Sequence, residues 1–420
     1  MNSYPLPVKS KPSARLSLYY GLILLLLCSA TGRAQDGTTP NRGFHPAGSY
    51  ALTDLETINT TNGNMMLRVP LVSLPAGRGG KLAAGVSLIY NSKLWDTHVE
   101  VWSDQYGQPV EQNFLDDSQE GSWRYGFQYQ LKLFNRLDQY PDPSQMPQCP
   151  NSKAVYIWKL KMSFPDGSVH EFRPQGYTDI LSDGYFNIRP DGLVNSCSGS
   201  SWVTNTLTYY STDGSYLRLD IQYDDQTGAW WNNPWTLYLP NGWRVTGGNA
   251  PQRIYDSNNN YIEIQGVTWN GHPATKIIDQ LNRYLIIEYD YALKQDYVYM
   301  WGVGGQQVMW TVKWKDVWVY KTYYRTRTFE YPTSLSTYFT VVDQIIFPSQ
   351  AGSLNYTFGY NPGATNPSYG WGELNSITLP TGAQASYTYL RDNQNNLFWN
   401  RVLEDYPTSK SLTYQSEYDG

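Results

Sequence analysis

Turn signals that contain glycine recur along this chain, and apolar and polar residues alternate between them. Most signals place proline, aspartate or asparagine shortly before the glycine, as in Phe164–Ser168, Arg189–Gly192, Thr212–Ser215, Leu239–Gly242 and Leu379–Gly382. Glycine supplies the positive φ that a tight hairpin turn requires, and proline presets the first turn residue without losing a ladder hydrogen bond. The chain is therefore expected to fold as a succession of β-hairpins.

The dominant period between the turns is two residues, which is the period of a half-buried strand. In the segment 308–315 the even positions hold valine or tryptophan, whereas the last three odd positions hold threonine or lysine. Trp310, Trp314 and Trp318 are accordingly expected in the core, since sheets favour aromatic residues on the buried face. The pattern predicts an all-β fold, an extended, curved antiparallel sheet of hairpins with few or no helices after the N-terminal segment. Irregular turn spacing disfavours a propeller.

Charge and aromatic content exclude two classes of protein. The chain has 31 Lys+Arg against 36 Asp+Glu and no basic run, so it lacks the positive charge that nucleic-acid binding requires. Aromatic residues make up 15% and charged residues only 16% of the chain, which is the composition of a folded protein rather than a disordered one.

The N-terminal segment has the layout of a secretory signal peptide. Basic residues precede the apolar run Leu16–Cys28, and small residues follow it. This order predicts a signal peptide over residues 1–34, cleaved after Ala34, and a protein that is secreted or held at the outer cell surface. An uncleaved anchor is the alternative, although a membrane span needs about 20 apolar residues. A lipoprotein acylated at Cys28 is disfavoured because the preceding Leu27 is bulky.

The exported part is expected to begin with a flexible lead over residues 35–49, which is polar and rich in glycine, proline and threonine. No later stretch is apolar enough to span a membrane. Export permits disulfides, and two cysteines, Cys149 and Cys197, follow the signal segment. A disulfide between them is one prediction, and two free buried thiols are the other.

A Tyr-Asp pair recurs in the second half of the chain, in most cases close to a turn. The pair opens Tyr223–Gly228 and Tyr255–Asn260 and returns at Tyr289–Asp290 and Tyr418–Asp419, while Asp279–Leu285 reads Asp-Gln-Leu-Asn-Arg-Tyr-Leu. These segments resemble the YD repeats of bacterial RHS-repeat proteins, with asparagine in several places where the repeat has glycine. The resemblance implies hairpins that wind into a spiralling sheet, which forms a large hollow shell.

Two further segments extend the resemblance. Residues 50–95 look like the region that precedes the repeats in secreted RHS-type proteins, and Leu374–Gly382 is similar to another recurrent unit of the family. The predicted division is an N-terminal RHS-type β region over residues 50–135 and a YD-repeat-like hairpin array over 136–420.

The repeats are few, and the Asp-Pro-x-Gly segment that ends the shell in toxin-delivering members is absent, so autoproteolysis and a C-terminal toxin are not expected. The chain is expected to supply part of a toxin-type shell, as a truncated or split member of the family. Another β-rich chain could then pair with an open sheet edge near Gly420.

No motif for catalysis, metal binding or cofactor binding stands out. The histidines His45, His98, His170 and His272 lie far apart, Gly-x-Ser-x-Gly is missing, and no glycine-rich loop precedes a helix. No catalytic residue, metal or cofactor is therefore predicted. A secreted carbohydrate-active enzyme remains the alternative, because a carboxylate pair leaves no local motif, and Asp96, Glu100 and Asp104 are its candidates.

Tryptophans offer a candidate binding surface. Trp230, Trp231 and Trp235 lie beside asparagines in a predicted loop, a composition suited to stacking on sugar rings and bonding their hydroxyls. The competing interpretation is that these rings cover a sheet edge. The leading prediction is a non-enzymatic RHS/YD-repeat protein with a binding or scaffold role outside the cell, in contact with carbohydrate or with another β-rich chain.

Overall fold

The computed structural model describes residues 49–51, 55–59, 64–77, 82–103, 109–117, 121–139, 154–174, 186–187, 205–223, 233–248, 251–302, 304–324, 332–352, 354–361, 372–390 and 406–413. The chain divides into Met1–Thr39 and Pro40–Gly420, and every described residue belongs to the second unit. Among the described residues the only helical element is a single 3₁₀ turn, Ser349–Ala351. The predicted all-β fold is confirmed.

The strands are numbered in chain order. The first thirteen are β1 (Ser49–Ala51), β2 (Glu56–Asn59), β3 (Met65–Leu74), β4 (Ala84–Asn91), β5 (Trp95–Ser103), β6 (Pro109–Asp117), β7 (Ser122–Tyr125), β8 (Gln130–Gln139), β9 (Ala154–Ser163), β10 (Val169–Pro174), β11 (Phe186–Asn187), β12 (Asn205–Ser211) and β13 (Arg218–Tyr223). The others are β14 (Trp235–Tyr238), β15 (Arg244–Gly247), β16 (Gln252–Tyr255), β17 (Tyr261–Trp269), β18 (His272–Asp279), β19 (Tyr284–Asp290), β20 (Gln295–Trp301), β21 (Gln307–Tyr324), β22 (Pro332–Ile346), β23 (Asn355–Tyr360), β24 (Leu374–Thr378), β25 (Gln384–Leu390) and β26 (Tyr406–Thr413).

The strands form a large antiparallel sheet, a smaller one and a separate hairpin. In the large sheet β8, β9, β10 and β12 pair in that order, β11 also pairs with β9, and each strand from β12 to β26 pairs with the next. The small sheet has the order β1-β2-β3-β4-β7, and β5 pairs with β6. Pairing between sequence neighbours is the topology that a succession of hairpins predicts.

One turn geometry recurs between the strands of the large sheet. In the five-residue turns 164–168, 239–243, 256–260, 279–283 and 379–383 the first residue pairs with the fifth, and the fourth donates its N–H back to the first carbonyl. The fourth residue has positive φ in each, at Gly167, Gly242, Asn259, Asn282 and Gly382, with values from 59° to 94°. Asparagine tolerates this region better than most side chains, so it replaces glycine here.

The main core fills the space between the two sheets. Leu67, Leu88 and Tyr90 of the small sheet and Leu285 and Val298 of the large sheet belong to one buried cluster. Polar contacts also join the sheets. The Trp123 indole Nε1 donates to the Tyr360 hydroxyl at 2.6 Å, and the Leu374 N–H donates to the Tyr90 hydroxyl at 3.0 Å.

The burial predicted for the tryptophans of β21 holds only in its first half. Trp310 and Trp314 pack against the main core, but Trp318 is 53% exposed, so its predicted burial is wrong. The pairing of β21 with β22 contains a register shift between Lys313 and Trp314. The shift inserts Asp343 on β22 and leaves the alternation of β21 intact, so Trp314 and Trp318 share a face. Beyond Trp314 the core covers the other face of β21, where Val317 and Val319 are buried.

The described residues do not test the predicted domain boundaries. The predicted signal peptide and nearly all of the lead precede Ser49, outside the described residues. Strand β8 runs across the predicted boundary at 135/136. The division into residues 50–135 and 136–420 stays a prediction.

Candidate functional site

A cavity of about 510 Å³ opens where β7 of the small sheet meets β19 to β22 of the large sheet. Its walls combine aromatic rings with charged side chains, and we call it the aromatic pocket. The aromatic members are Trp123, Tyr125, Tyr289, Tyr291, Trp314 and Tyr338, and the charged members are Arg124, Asp290, Lys294, Asp296 and Asp316. Concave sites with apolar walls and a few polar groups are typical of small-ligand binding.

The rings around the pocket meet at two kinds of angle. Tyr125 contacts both Tyr289 and Trp314 edge to face, with interplanar angles of 65° and 68°. Tyr291 lies nearly parallel to Tyr289 at 11°, with ring centroids 6.3 Å apart. Tyr291 is 74% exposed, whereas Tyr289 packs against the core. The rings therefore form fixed walls, and one exposed ring stands at the mouth.

Asp296 is the most buried acid of the pocket, with 6% of the residue exposed. It lies on β20 on the same face as buried Val298, because side chains two residues apart share a face. Its Oδ2 accepts hydrogen bonds of 2.8 Å from the Tyr125 hydroxyl and from the Trp314 indole Nε1. Burial raises the pKa of Asp296 to about 6, although these two hydrogen bonds act in the opposite direction.

Asp290 ends β19 and begins the turn that leads to the pocket mouth. Its Oδ1 accepts the N–H groups of Ala292 and Leu293 at 3.1 and 3.0 Å. Lys294 follows in the left-handed region with a φ of 50°. The aspartate of the Tyr289–Asp290 pair thus holds the turn that carries Tyr291.

Lys294 and Asp316 form an ion pair at the rim, and the Thr340 hydroxyl donates to Asp316 Oδ1 at 3.0 Å. The hydrogen bond from Lys294 lowers the pKa of Asp316 below its ordinary value. Asp316 is consequently an ionised acid at the rim of the pocket, and Asp296 is an acid with a raised pKa in its interior. Together they supply hydrogen-bond acceptors, while Lys294 supplies a donor.

A serine, a histidine and an aspartate line up elsewhere, between two Asp-Gly-Ser turns. Ser168 Oγ lies 3.0 Å from His170 Nε2, and His170 Nδ1 lies 2.5 Å from Asp213 Oδ2. The sequence analysis did not predict this Ser-His-Asp arrangement, although both turns carry the same Asp-Gly-Ser tripeptide.

Ser168, His170 and Asp213 follow the order of a nucleophilic triad, but their hydrogen bonds do not run in the direction that such a triad requires. The Ser168 hydroxyl donates to Asp166 Oδ1 at 2.7 Å, and Ser168 is only 5% exposed. With that hydroxyl hydrogen committed to Asp166, His170 must donate to the serine oxygen instead of accepting from it. The arrangement therefore acts as a clamp between two turns.

Burial alone would raise the pKa of Asp213, but hydrogen bonds from His170 and Ser215 and the charge of His170 lower it to about 2. Asp213 is thus ionised throughout the neutral range. Its contact with His170 Nδ1 joins the beginning of β10 to the turn that follows β12.

A second buried acid lies on the opposite face of the large sheet. Glu288 is 3% exposed, and it accepts hydrogen bonds from Asn270, from the Tyr299 hydroxyl and from His272 Nδ1 at 2.7 to 2.9 Å. These three hydrogen bonds occupy both oxygens of the Glu288 carboxylate within the sheet. Among the described residues, no group of three His, Cys, Asp or Glu side chains has a metal-binding arrangement.

The residues predicted for binding are mostly outside the described part of the chain. Cys149, Cys197, Trp230 and Trp231 lie there, and so does Asp104. Asp96 and Glu100 fall on the backbone of β5, without described side chains.

Trp235 is described, and the residue is 6% exposed. A Cβ placed at Gly247 would lie 2.2 Å from this ring, so glycine is needed opposite it. Glycan contact at Trp230, Trp231 and Trp235 stays a prediction, as does the disulfide between Cys149 and Cys197. The aromatic pocket was not anticipated, because its walls come from segments far apart in the sequence.

Comparison with known proteins does not assign the chain to a family. No protein-family model matches the chain, and no curated protein matches its sequence. Within the described residues, no helix has the length and apolar character that crossing a membrane would require.

Proposed function

We propose that this chain is an exported, non-enzymatic β protein of the RHS/YD-repeat type that binds carbohydrate in the aromatic pocket. The observation that carries the binding role is the pocket itself, in which flat rings surround carboxylates and an amine. Aromatic faces pack against the C–H faces of sugar rings, and carboxylates accept hydrogen bonds from sugar hydroxyls.

The turns support the family part of the proposal. In Tyr255–Asn260 the Asp256 carboxylate accepts the N–H groups of Asn258 and Asn260, and in the next turn Asp279 accepts those of Leu281 and Arg283. An aspartate followed by a residue with positive φ is the arrangement that the repeat motif requires of a hairpin turn. Asparagine at that position, Asn259 and Asn282, takes the place of the motif's glycine in these two turns.

A scaffold role follows from the same architecture. The large sheet presents the pocket on strands that are held by ladder hydrogen bonds and by the core beneath them. Sites built on strands are more rigid than sites built on loops. Export is supported by the N-terminal sequence, and sequencing the N-terminus of the secreted protein should identify Gln35 as its first residue.

A glycan array followed by isothermal titration calorimetry tests the binding role. Tyr291→Ala should weaken binding by about 3- to 10-fold, because it removes an exposed stacking ring. Tyr216→Ala is the matched control, since Tyr216 is 86% exposed and does not line the aromatic pocket. If no glycan bound, or if both variants weakened binding equally, the proposal would fail.

A glycan hydrolase is the second candidate function, and one observation favours it. Asp296 has a raised pKa and Asp316 a lowered one, and such a contrast is how paired acids divide the roles of acid and base. We rank binding first because Tyr125 and Trp314 already occupy Asp296 Oδ2, and Lys294 and Thr340 occupy Asp316. Release of reducing ends that is lost in Asp296→Asn would reverse this order, whereas binding without release would support it.

A further inference from the structure

An exposed pair of rings lies next to the aromatic pocket. Trp318 on β21 and Tyr338 on β22 are directly opposite each other across the strands. Their rings are nearly parallel, at 16°, with centroids 6.2 Å apart. Tyr338 also lines the pocket, so the pocket wall and the ring pair form one continuous aromatic surface.

The rings are exposed although the hairpin beneath them is firmly packed. Trp318 and Tyr338 are 53% and 55% exposed, whereas Phe339 on the other face is 7% exposed and meets Trp95 edge to face at 5.0 Å. The inner face therefore holds the hairpin in place, and the outer face carries two large rings that no described residue covers. Large apolar groups exposed together on a well-packed element are typical of a binding surface.

The alternation of β21 places Trp318 on the same face as Trp314 and Asp316, which line the pocket. Residues 311–313 of β21 pair with both β20 and β22, and residues 314–324 pair with β22. The register shift inserts Asp343 on β22 and leaves this alternation of β21 intact. Trp318 is exposed because this part of the hairpin buries its other face, which carries Val317, Val319 and Phe339.

We propose that the ligand is a β-1,4-linked oligosaccharide, of which one sugar unit enters the aromatic pocket and the next stacks on Trp318 and Tyr338; this rests on the carbohydrate binding proposed above. Chains of β-1,4-linked glucose or N-acetylglucosamine are flat ribbons whose faces carry C–H groups. The exposed parts of the Trp318 and Tyr338 rings present an apolar surface on which such a ribbon can pack. The adjoining Thr340 hydroxyl and Asp316 carboxylate can bond hydroxyls along its edge.

The test compares chain lengths by isothermal titration calorimetry. The probes are glucose, cellobiose and cellotetraose, together with N-acetylglucosamine, chitobiose and chitotetraose. For at least one series the tetramer should bind the native chain more tightly than the monomer. Trp318→Ala should weaken tetramer binding by about 3- to 10-fold and leave monomer binding unchanged. Tyr338→Ala should weaken both, because Tyr338 belongs to the pocket and to the ring pair.

The controls separate this inference from the function on which it rests. Tyr216→Ala should bind every probe as the native chain does, and circular dichroism should show that each variant is folded. Equal binding of monomer and tetramer, or an equal loss for both in Trp318→Ala, would overturn the extended site while leaving the pocket intact. If no probe of either series bound, the extended β-1,4 site would be overturned; if the array also found no other ligand, the carbohydrate-binding function would fail with it.

Discussion

Tyr125 donates a hydrogen bond of 2.8 Å to Asp296 Oδ2, although the two residues lie 171 positions apart in the chain. Tyr125 belongs to the small sheet and Asp296 to the large one. The Trp314 indole donates to the same oxygen at 2.8 Å. The acid inside the aromatic pocket is therefore held by both sheets, and its charge state affects how the sheets pack.

Stability should fall as pH rises through the titration of Asp296. Its folded-state pKa is raised from 3.8 to about 6, so the folded state holds the proton more tightly than the unfolded state. The resulting stabilisation is fully present below about pH 4 and is lost as pH approaches 6 to 7, by about 3 kcal/mol in all. Urea unfolding at a series of pH values measures it.

The control for that measurement is Asp296→Asn, which keeps an acceptor for Tyr125 and Trp314 but cannot ionise. The variant should lack the decline between pH 4 and 7 and should be at least as stable as the native chain at pH 7. A native pH profile unchanged by the substitution would show that Asp296 does not titrate in this range.

The Asp213 clamp should have the opposite dependence on pH. Its folded-state pKa is lowered to about 2, so its stabilisation is present above the unfolded pKa near 3.8 and is lost as pH falls toward 2. Asp213→Asn should cost about 1.5 to 3 kcal/mol at pH 7, the range for hydrogen bonds to charged groups. Thermal unfolding at pH 7 and pH 2.5 should show a large difference between variant and native chain at the higher pH only. A constant difference would contradict the clamp.

Asparagine at the turn position of positive φ should tolerate glycine but not alanine. Asn282 has a φ of 59°, so Asn282→Ala should destabilise the protein by about 1 kcal/mol, whereas Asn282→Gly should change stability by a few tenths. Gln280→Ala, in the same turn but with no positive φ, is the matched control. Denaturant unfolding checks the order, and an equally mild effect of all three changes would argue against strain at Asn282.

Opposite faces of the β21–β22 hairpin should respond differently to truncation. Phe339→Ala should cost about 3 to 5 kcal/mol because it leaves a cavity beneath the hairpin. Trp318→Ala should cost less than about 1 kcal/mol, since its ring is half exposed. Calorimetric melting of the two variants makes the comparison. A larger loss for Trp318 would mean that the hairpin faces the other way.

Turn chemistry was readable from the sequence because it is local. The glycines of Phe164–Ser168, Leu239–Gly242 and Leu379–Gly382 have the positive φ expected of them. The all-β class followed from the same turns and from the period of two between them. Burial of Trp310 and Trp314 against the core was also predicted correctly.

The position of Trp318 and the make-up of the aromatic pocket were not readable. Trp314 and Trp318 lie on the same face of β21, and how far along that face the core extends depends on distant packing that the alternation within one strand does not show. The pocket depends on β7 lying against β20 and β21, which no local pattern of Tyr125 or Asp296 indicates.

The sequence by itself determined the hairpins, because φ preferences and side-chain alternation act within a few residues and need no distant partner. Only the tertiary structure decided which rings and acids meet, because burying the two sheets against each other brings together side chains that are far apart in the chain. Asp296 shows both levels: its strand is predictable from local sequence, whereas its hydrogen bond to Tyr125 exists only because the small sheet packs against the large one.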